Sequence, residues 1–166
     1  MAARIILLNG TSSAGKSTLA RALRPLLPGS FCYYASDQLA DAHFRPITEP
    51  ARCEGREAFF AGFHRSVAAF AEAGLDLLVE HIVEQASWAD ELRALLRPFD
   101  TFWVGIHVPI DILKERERLR GDRALGEAQE HHRTHDHCRY DLELENVGAS
   151  ATVAAQVLQA WGLRHS

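Results

Sequence analysis

An excess of basic charge is missing from this chain, and cysteine and long apolar runs are scarce. Formal net charge is −4, so no overall positive field points to nucleic acid as a partner. Lysine is nearly missing, with only Lys16 and Lys114. Cys32, Cys53 and Cys138 are odd in number and far apart, form no CxxC pair and suggest no disulfide framework. No apolar run approaches the roughly 20 residues that cross a bilayer, so no membrane partner is expected. A strand pattern begins at Arg4 and leaves no room for a secretory signal, so a reducing cytoplasm is the expected location. Internal repeats, linkers and low-complexity tracts are also missing. The 166 residues therefore read as a single domain, 1–166, large enough for a substantial core.

What the chain does contain is an alternation of apolar strands and helical patterns. Arg4–Asn9 is almost continuously apolar, as suits a strand covered on both faces. A helix is predicted over Lys16–Leu27, stopping near Pro25 to Gly29. Phe31–Ala35 is a second strand, followed by a helix start at Ser36-Asp37. The stretch 43–55 reads as irregular, broken by Pro46, Pro50 and Gly55. Glu57–Ala73 has helical spacing, with Phe59, Phe60, Phe63, Val67 and Phe70 near one face and Gly74 at its end. Leu75–Val83 is a third strand, Ser87–Leu96 a helix, Thr101–Val108 a fourth strand and Ile110–Arg120 a charged helix. Gly121-Asp122 breaks that helix, and a polar segment runs to Arg139. Tyr140–Asn146 is a fifth strand and Ala149–Trp161 a final helix. Five strands alternating with helices predict an α/β fold, a five-stranded parallel sheet flanked by helices.

Between the first strand and the first helix stands Gly10-Thr11-Ser12-Ser13-Ala14-Gly15-Lys16-Ser17. Strand, glycine-rich loop and helix in that order are the parts of a nucleotide-phosphate cradle. Glycines let backbone N–H groups turn inward around phosphate oxygens, and the helix aims its positive end at the same anion. Lys16 is expected to reach the β- and γ-phosphates of ATP, with the Ser17 hydroxyl on Mg²⁺. Thr18 opens the helix beside them.

Ligands of parallel α/β sheets sit beyond the carboxyl ends of the strands. After the second strand comes Asp37, a candidate general base for an acceptor hydroxyl or, equally, a helix N-cap. Glu80 ends the third apolar run, where a carboxylate suits a contact to Mg²⁺ or its waters, or a buried acid held by other groups. His81 reads either as a substrate-orienting residue or as a satisfied core histidine. Arg116 and Arg120 share one helical face, and Arg123 follows the Gly121 break. These arginines supply charge for phosphoryl transfer, in a lid spanning about 116–139, or else form a solvated face among Glu115 and Glu117. His43, Arg45 and Glu84 are candidates to dress an acceptor pocket, or are ordinary surface. His131 and His135 have i, i+4 spacing, but no second ligand pair stands at metal-binding spacing.

Leu8-Asn9-Gly10, the loop through Ser17, Asp37, Phe102-Trp103-Val104-Gly105-Ile106, Arg120-Gly121-Asp122-Arg123 and Tyr140-Asp141 together resemble the chloramphenicol phosphotransferase family. The resemblance runs across nearly the whole chain. It implies a P-loop kinase fold that uses ATP and Mg²⁺ to phosphorylate a hydroxyl of a small molecule. It also implies Asp37 as base and Arg116, Arg120 and Arg123 as lid arginines. His135 matches a family histidine of no assigned role. Two departures stand out. Glu80-His81 replaces an acidic pair, and the stretch from Leu39 to Glu57 is shorter and different. The catalytic parts are thus expected to transfer, whereas chloramphenicol as acceptor does not follow. An antibiotic-like natural product is the expected substrate class. A sugar or nucleotide-sugar kinase and a non-kinase nucleotide-binding regulator are the rival readings.

Overall fold

A computed structural model describes residues 2–120 and 131–164. Its centre is β1 (Arg4–Asn9), flanked by β3 (Asp76–His81) and β4 (Asp100–His107). β2 (Phe31–Ala35) lies outside β3 and β5 (Leu142–Glu145) outside β4, giving the all-parallel order β2-β3-β1-β4-β5. Ile5, Ile6, Leu7 and Leu8 have no exposed surface. Successive side chains of a strand point to opposite faces, so Ile6 and Leu8 join one core and Ile5 and Leu7 the other. Each contributes about 1.5–3 kcal/mol by leaving water, which explains why the opening run lacks polar alternation.

The Ile6/Leu8 face is covered by α1 (Lys16–Leu23), by Leu113 of α6 (Ile110–Arg120) and by α7 (Ser150–Leu163). The other face is covered by α4 (Arg56–Glu72) and α5 (Ala86–Leu96). β1 has β3 on one side and β4 on the other, so chain order reverses there, and the crevice beyond its carboxyl end is the natural ligand position of this architecture.

Several expected boundaries shift for local reasons. α1 ends at Leu23 and gives way to a 3₁₀ turn, Arg24–Leu26, because Pro25 has no N–H for the next helical bond. The stretch expected to be irregular contains a helix, α3 (Glu49–Glu54), with Pro50 in its first turn. There a missing N–H costs nothing, so this proline starts structure rather than breaking it. α2 (Ser36–Asp41) is short. β3 loses Leu75 at one end and Ile82 and Val83 at the other. β5 starts late because the Asp141 side chain takes over a rung: Trp103 N–H donates to the carboxylate at 2.8 Å. The Asp141 N–H returns a bond to Trp103 O at 2.9 Å. His131–His135 is a 3₁₀ turn. No helix among the described residues is long and apolar enough to cross a membrane.

Candidate active site

The loop after β1 is shaped by close approach. A Cβ on Gly10 would lie 2.7 Å from Ile106 O, and one on Gly15 would lie 2.6 Å from Asn146 Nδ2. Gly15 also has φ 84°, in the left-handed region that side chains avoid. Ser13 occupies the same region at φ 61° without being glycine, a strain typical of ligand-binding loops. The Thr11 and Ser13 hydroxyls are buried and have no hydrogen-bond partner among the described residues. Buried polar atoms in that condition are uncommon, and in a loop of this shape they fit a bound phosphate group.

Two side chains clamp the loop, one from α6 and one from the end of β5. Asn146 donates from Nδ2 to Ala14 O at 2.7 Å. Arg116 donates from Nη2 to Asn146 O at 2.8 Å and lies 3.4 Å from Ser13 O and Ala14 O through Nη1. Asn146 was not among the sequence candidates. Its signal was its position, the first residue past the fifth strand, in the same row as the loop and Asp37.

Lys16 is buried and its ammonium donates to Gly10 O at 2.9 Å and Thr11 O at 2.8 Å. Ser17 Oγ donates to Glu80 Oε1 at 2.7 Å. Tyr33 O–H donates to the other oxygen of the same carboxylate. Burial first, and then that bond, push the Tyr33 phenol well above its ordinary value. Tyr33 therefore stays protonated, a donor that fixes Glu80. The hydroxyl and carboxylate form an all-oxygen pair of the kind Mg²⁺ favours.

Asp37 is not the cap of α2. Ala35 holds that position, and its N–H donates to Gln38 Oε1 at 2.9 Å. Asp37 stands two residues further on, in the first turn of α2, and is exposed. It shares with Lys16, Ser17, Glu80 and Arg116 a cleft of about 640 Å³.

The remaining candidates are dispersed. His43 is exposed at φ 59°. Arg45 stacks over the Phe59 ring at 4.6 Å. Glu84 accepts from Arg56 Nη2 at 2.5 Å. His81 is buried between Phe60, Phe63 and Trp88, with its ring in the layer of α4 and α5. Desolvation, aided by nearby cations, holds it neutral. The Arg120 side chain, Arg123 and the lid segment 121–130 lie outside the described residues, as do the His131 and His132 side chains. Among the described residues no group of three or more His, Cys, Asp or Glu could hold a metal. His135 instead stacks on His107 at 3.9 Å and bonds Tyr140 O–H at 2.8 Å.

Asn9 explains several motif residues at once. It is fully buried; its Oδ1 accepts from Val83 N–H at 2.9 Å and its Nδ2 donates to Tyr140 Oη at 2.7 Å. The Tyr140 ring lies where a Cβ on Gly105 would be, 2.7 Å from Cδ2. Asn9, Gly105 and Tyr140 thus form one steric unit that ties the root of the 131–140 segment to the end of β1.

Parallel sheet order, phosphate loop and adjoining carboxylate define the class: a phosphotransferase built on the P-loop kinase fold. The chain belongs to the chloramphenicol phosphotransferase-like family, whose sequence profile matches residues 3–162. A Mycobacterium tuberculosis relative, whose name assigns it provisionally as an O-phosphotransferase, is 26% identical over 180 aligned residues. That alignment covers 93% of this chain and 80% of the relative. Solved structures share the fold. The APS kinase of Mycobacterium tuberculosis, in complex with AMPPNP and APS, aligns with TM-score 0.69 and 18% identity over 96% of this chain and 98% of its own. The tunicamycin resistance protein of Deinococcus radiodurans gives 0.69 and 18%, covering 96% of each chain. Shikimate kinase from Acinetobacter baumannii, in complex with shikimate, gives 0.65 and 21%, covering 95% and 92%.

Proposed function

We propose that this chain transfers the γ-phosphoryl group of ATP to a hydroxyl of a small molecule, an antibiotic-like natural product, in the cytoplasm. The observation that carries the reading is the shared cleft: Lys16, the Ser17–Glu80 pair and the Asp37 carboxylate all line it. Inward N–H groups of residues 10–17 hold the phosphates, and the Lys16 ammonium exchanges its loop carbonyls for β- and γ-oxygens. Ser17 and Glu80 would hold Mg²⁺, which when bound offsets charge on those oxygens. Asp37 accepts the proton as the acceptor oxygen bonds to the γ-phosphorus. The bond from that phosphorus to the leaving ADP oxygen breaks, and the proton remains on the carboxylate. Arg116, with Arg120 and Arg123, stabilises the charge that develops. His43, Arg45, His81 and Glu84 remain candidates to contact the acceptor, although none of them lines the cleft itself.

The test is ADP release against a panel of alcohols that includes chloramphenicol, other hydroxylated antibiotics and sugars. Acceptor-dependent release, stoichiometric with a phosphate monoester, supports the reading. Slow hydrolysis that no alcohol accelerates overturns it in favour of a nucleotide-binding regulator.

A further inference from the structure

α4 buries a stripe of Phe60, Phe63, Val67, Ala68 and Ala71, and one polar residue, His64, stands in the middle of it. His64 has no exposed surface and His81 has 2%. A pair of imidazoles in an aromatic cage is costly where apolar rings would pack, and local rules are broken mainly at functional positions. The two rings are part of a continuous chain of contacts. Glu91 Oε2 lies 2.8 Å from His64 Nδ1, His64 Nε2 lies 3.0 Å from His81 Nε2, and His81 Nδ1 lies 3.3 Å from Ser36 Oγ.

Burial favours the neutral form of both imidazoles, and with both neutral the donors in this chain have one self-consistent order. A carboxylate only accepts, so His64 carries its proton on Nδ1. Its Nε2 is then an acceptor, and His81 must donate from Nε2. That leaves His81 Nδ1 as an acceptor, filled by the Ser36 hydroxyl proton. Glu91 sits at the outer end, partly exposed and 3.8 Å from Arg65 Nη2. Ser36 sits at the inner end as the first residue of α2, next to Asp37. Ser36, Asp37, His81 and Lys16 also surround one small cavity of about 10 Å³, the size of a single water.

We propose that Glu91, His64, His81 and Ser36 form a positioning relay that fixes the amino end of α2 and so sets where the Asp37 carboxylate stands in the cleft. This rests on Asp37 acting in phosphoryl transfer. None of the four is a catalytic residue; they act through Asp37. The relay therefore governs the chemical step rather than nucleotide binding, since small misplacement of a reacting group costs rate.

The relay can be read in two ways on the intact protein. In ¹⁵N-histidine spectra, His64 should be the Nδ1–H tautomer and His81 the Nε2–H tautomer, assigned by loss of signals in His64→Phe. Glu91→Ala should abolish this fixed pair, and Glu91→Gln should keep it, because the amide oxygen still accepts. In kinetics, Ser36→Ala and Glu91→Ala should each lower kcat about tenfold with KM for ATP within about twofold. The double variant should be no worse than either single, because both cut the same chain. The opposite tautomers in wild type, unchanged kcat in a folded Glu91→Ala, or single losses that multiply would overturn the relay. The spectra report it whether or not an acceptor is known, so a failure of the phosphoryl-transfer reading is seen separately.

Discussion

The two walls of the cleft are built differently. On the phosphate side, residues 10–17 are held by main-chain shape: a left-handed Ser13 and Gly15, and glycines pressed against Ile106 and Asn146. On the facing side, α2 is short and its placement depends on side chains reaching from α4 and α5, through His81 and His64 to Glu91. A wall made of backbone tolerates little change in shape. A wall made of side-chain hydrogen bonds tolerates shape change but not loss of a donor or acceptor. The first should control whether nucleotide binds, and the second how fast the bound nucleotide reacts.

Asp37→Asn should separate the two most sharply. Turnover should fall about 10²- to 10⁴-fold, the usual range for a general base, with ATP affinity retained in an equilibrium binding assay. Wild-type turnover in that variant would remove Asp37 from the base role. Gly15→Val attacks the other wall. It forces a branched side chain into a left-handed backbone and against Asn146, so ATP affinity should fall more than turnover at saturation. Equal losses in both would erase the distinction. Asn146→Ala is milder. It removes the 2.7 Å donor to Ala14 O and leaves only the longer 3.4 Å contact from Arg116, a cost of about 0.5–1.5 kcal/mol, read as a lower urea midpoint together with weaker ATP binding.

The smallest effect concerns pH. Burial lowers the His64 value most, partly opposed by its bond to Glu91 and by the charge of Glu57, while Arg65 adds to the lowering. Histidine in the unfolded chain takes up its proton near pH 6.5. As pH falls past that point the unfolded state binds the proton first, so stability is complete above about 6.5 and declines toward the lower folded value. Urea midpoints at pH 7.5 and 5.5 should differ less in His64→Phe than in wild type. An unchanged difference would mean that His64 titrates normally in the fold.

The phosphate wall was legible in the sequence because its parts are contiguous and chemically unambiguous: eight residues between a strand and a helix. The alternation of strands and helices was legible from apolar runs and their periods. Pro50 was misleading because a proline that breaks a helix interior is welcome in a first turn, and only the following residues decide which applies. Asn146 was missed because it contacts Ala14 across 132 positions. His81 carried two readings since nothing local reveals that its partners are His64 and Ser36, 17 and 45 residues away. Contacts of that separation arise from the fold and leave no local pattern.

The most direct measurement is a calorimetric titration of ATP, with magnesium present, into folded wild type and into Lys16→Ala. A saturable uptake by wild type that is lost in the variant is the predicted result. No saturable heat from folded wild type, or equal uptake by both proteins, would contradict the assignment of the loop as a triphosphate site and with it the phosphoryl-transfer reading.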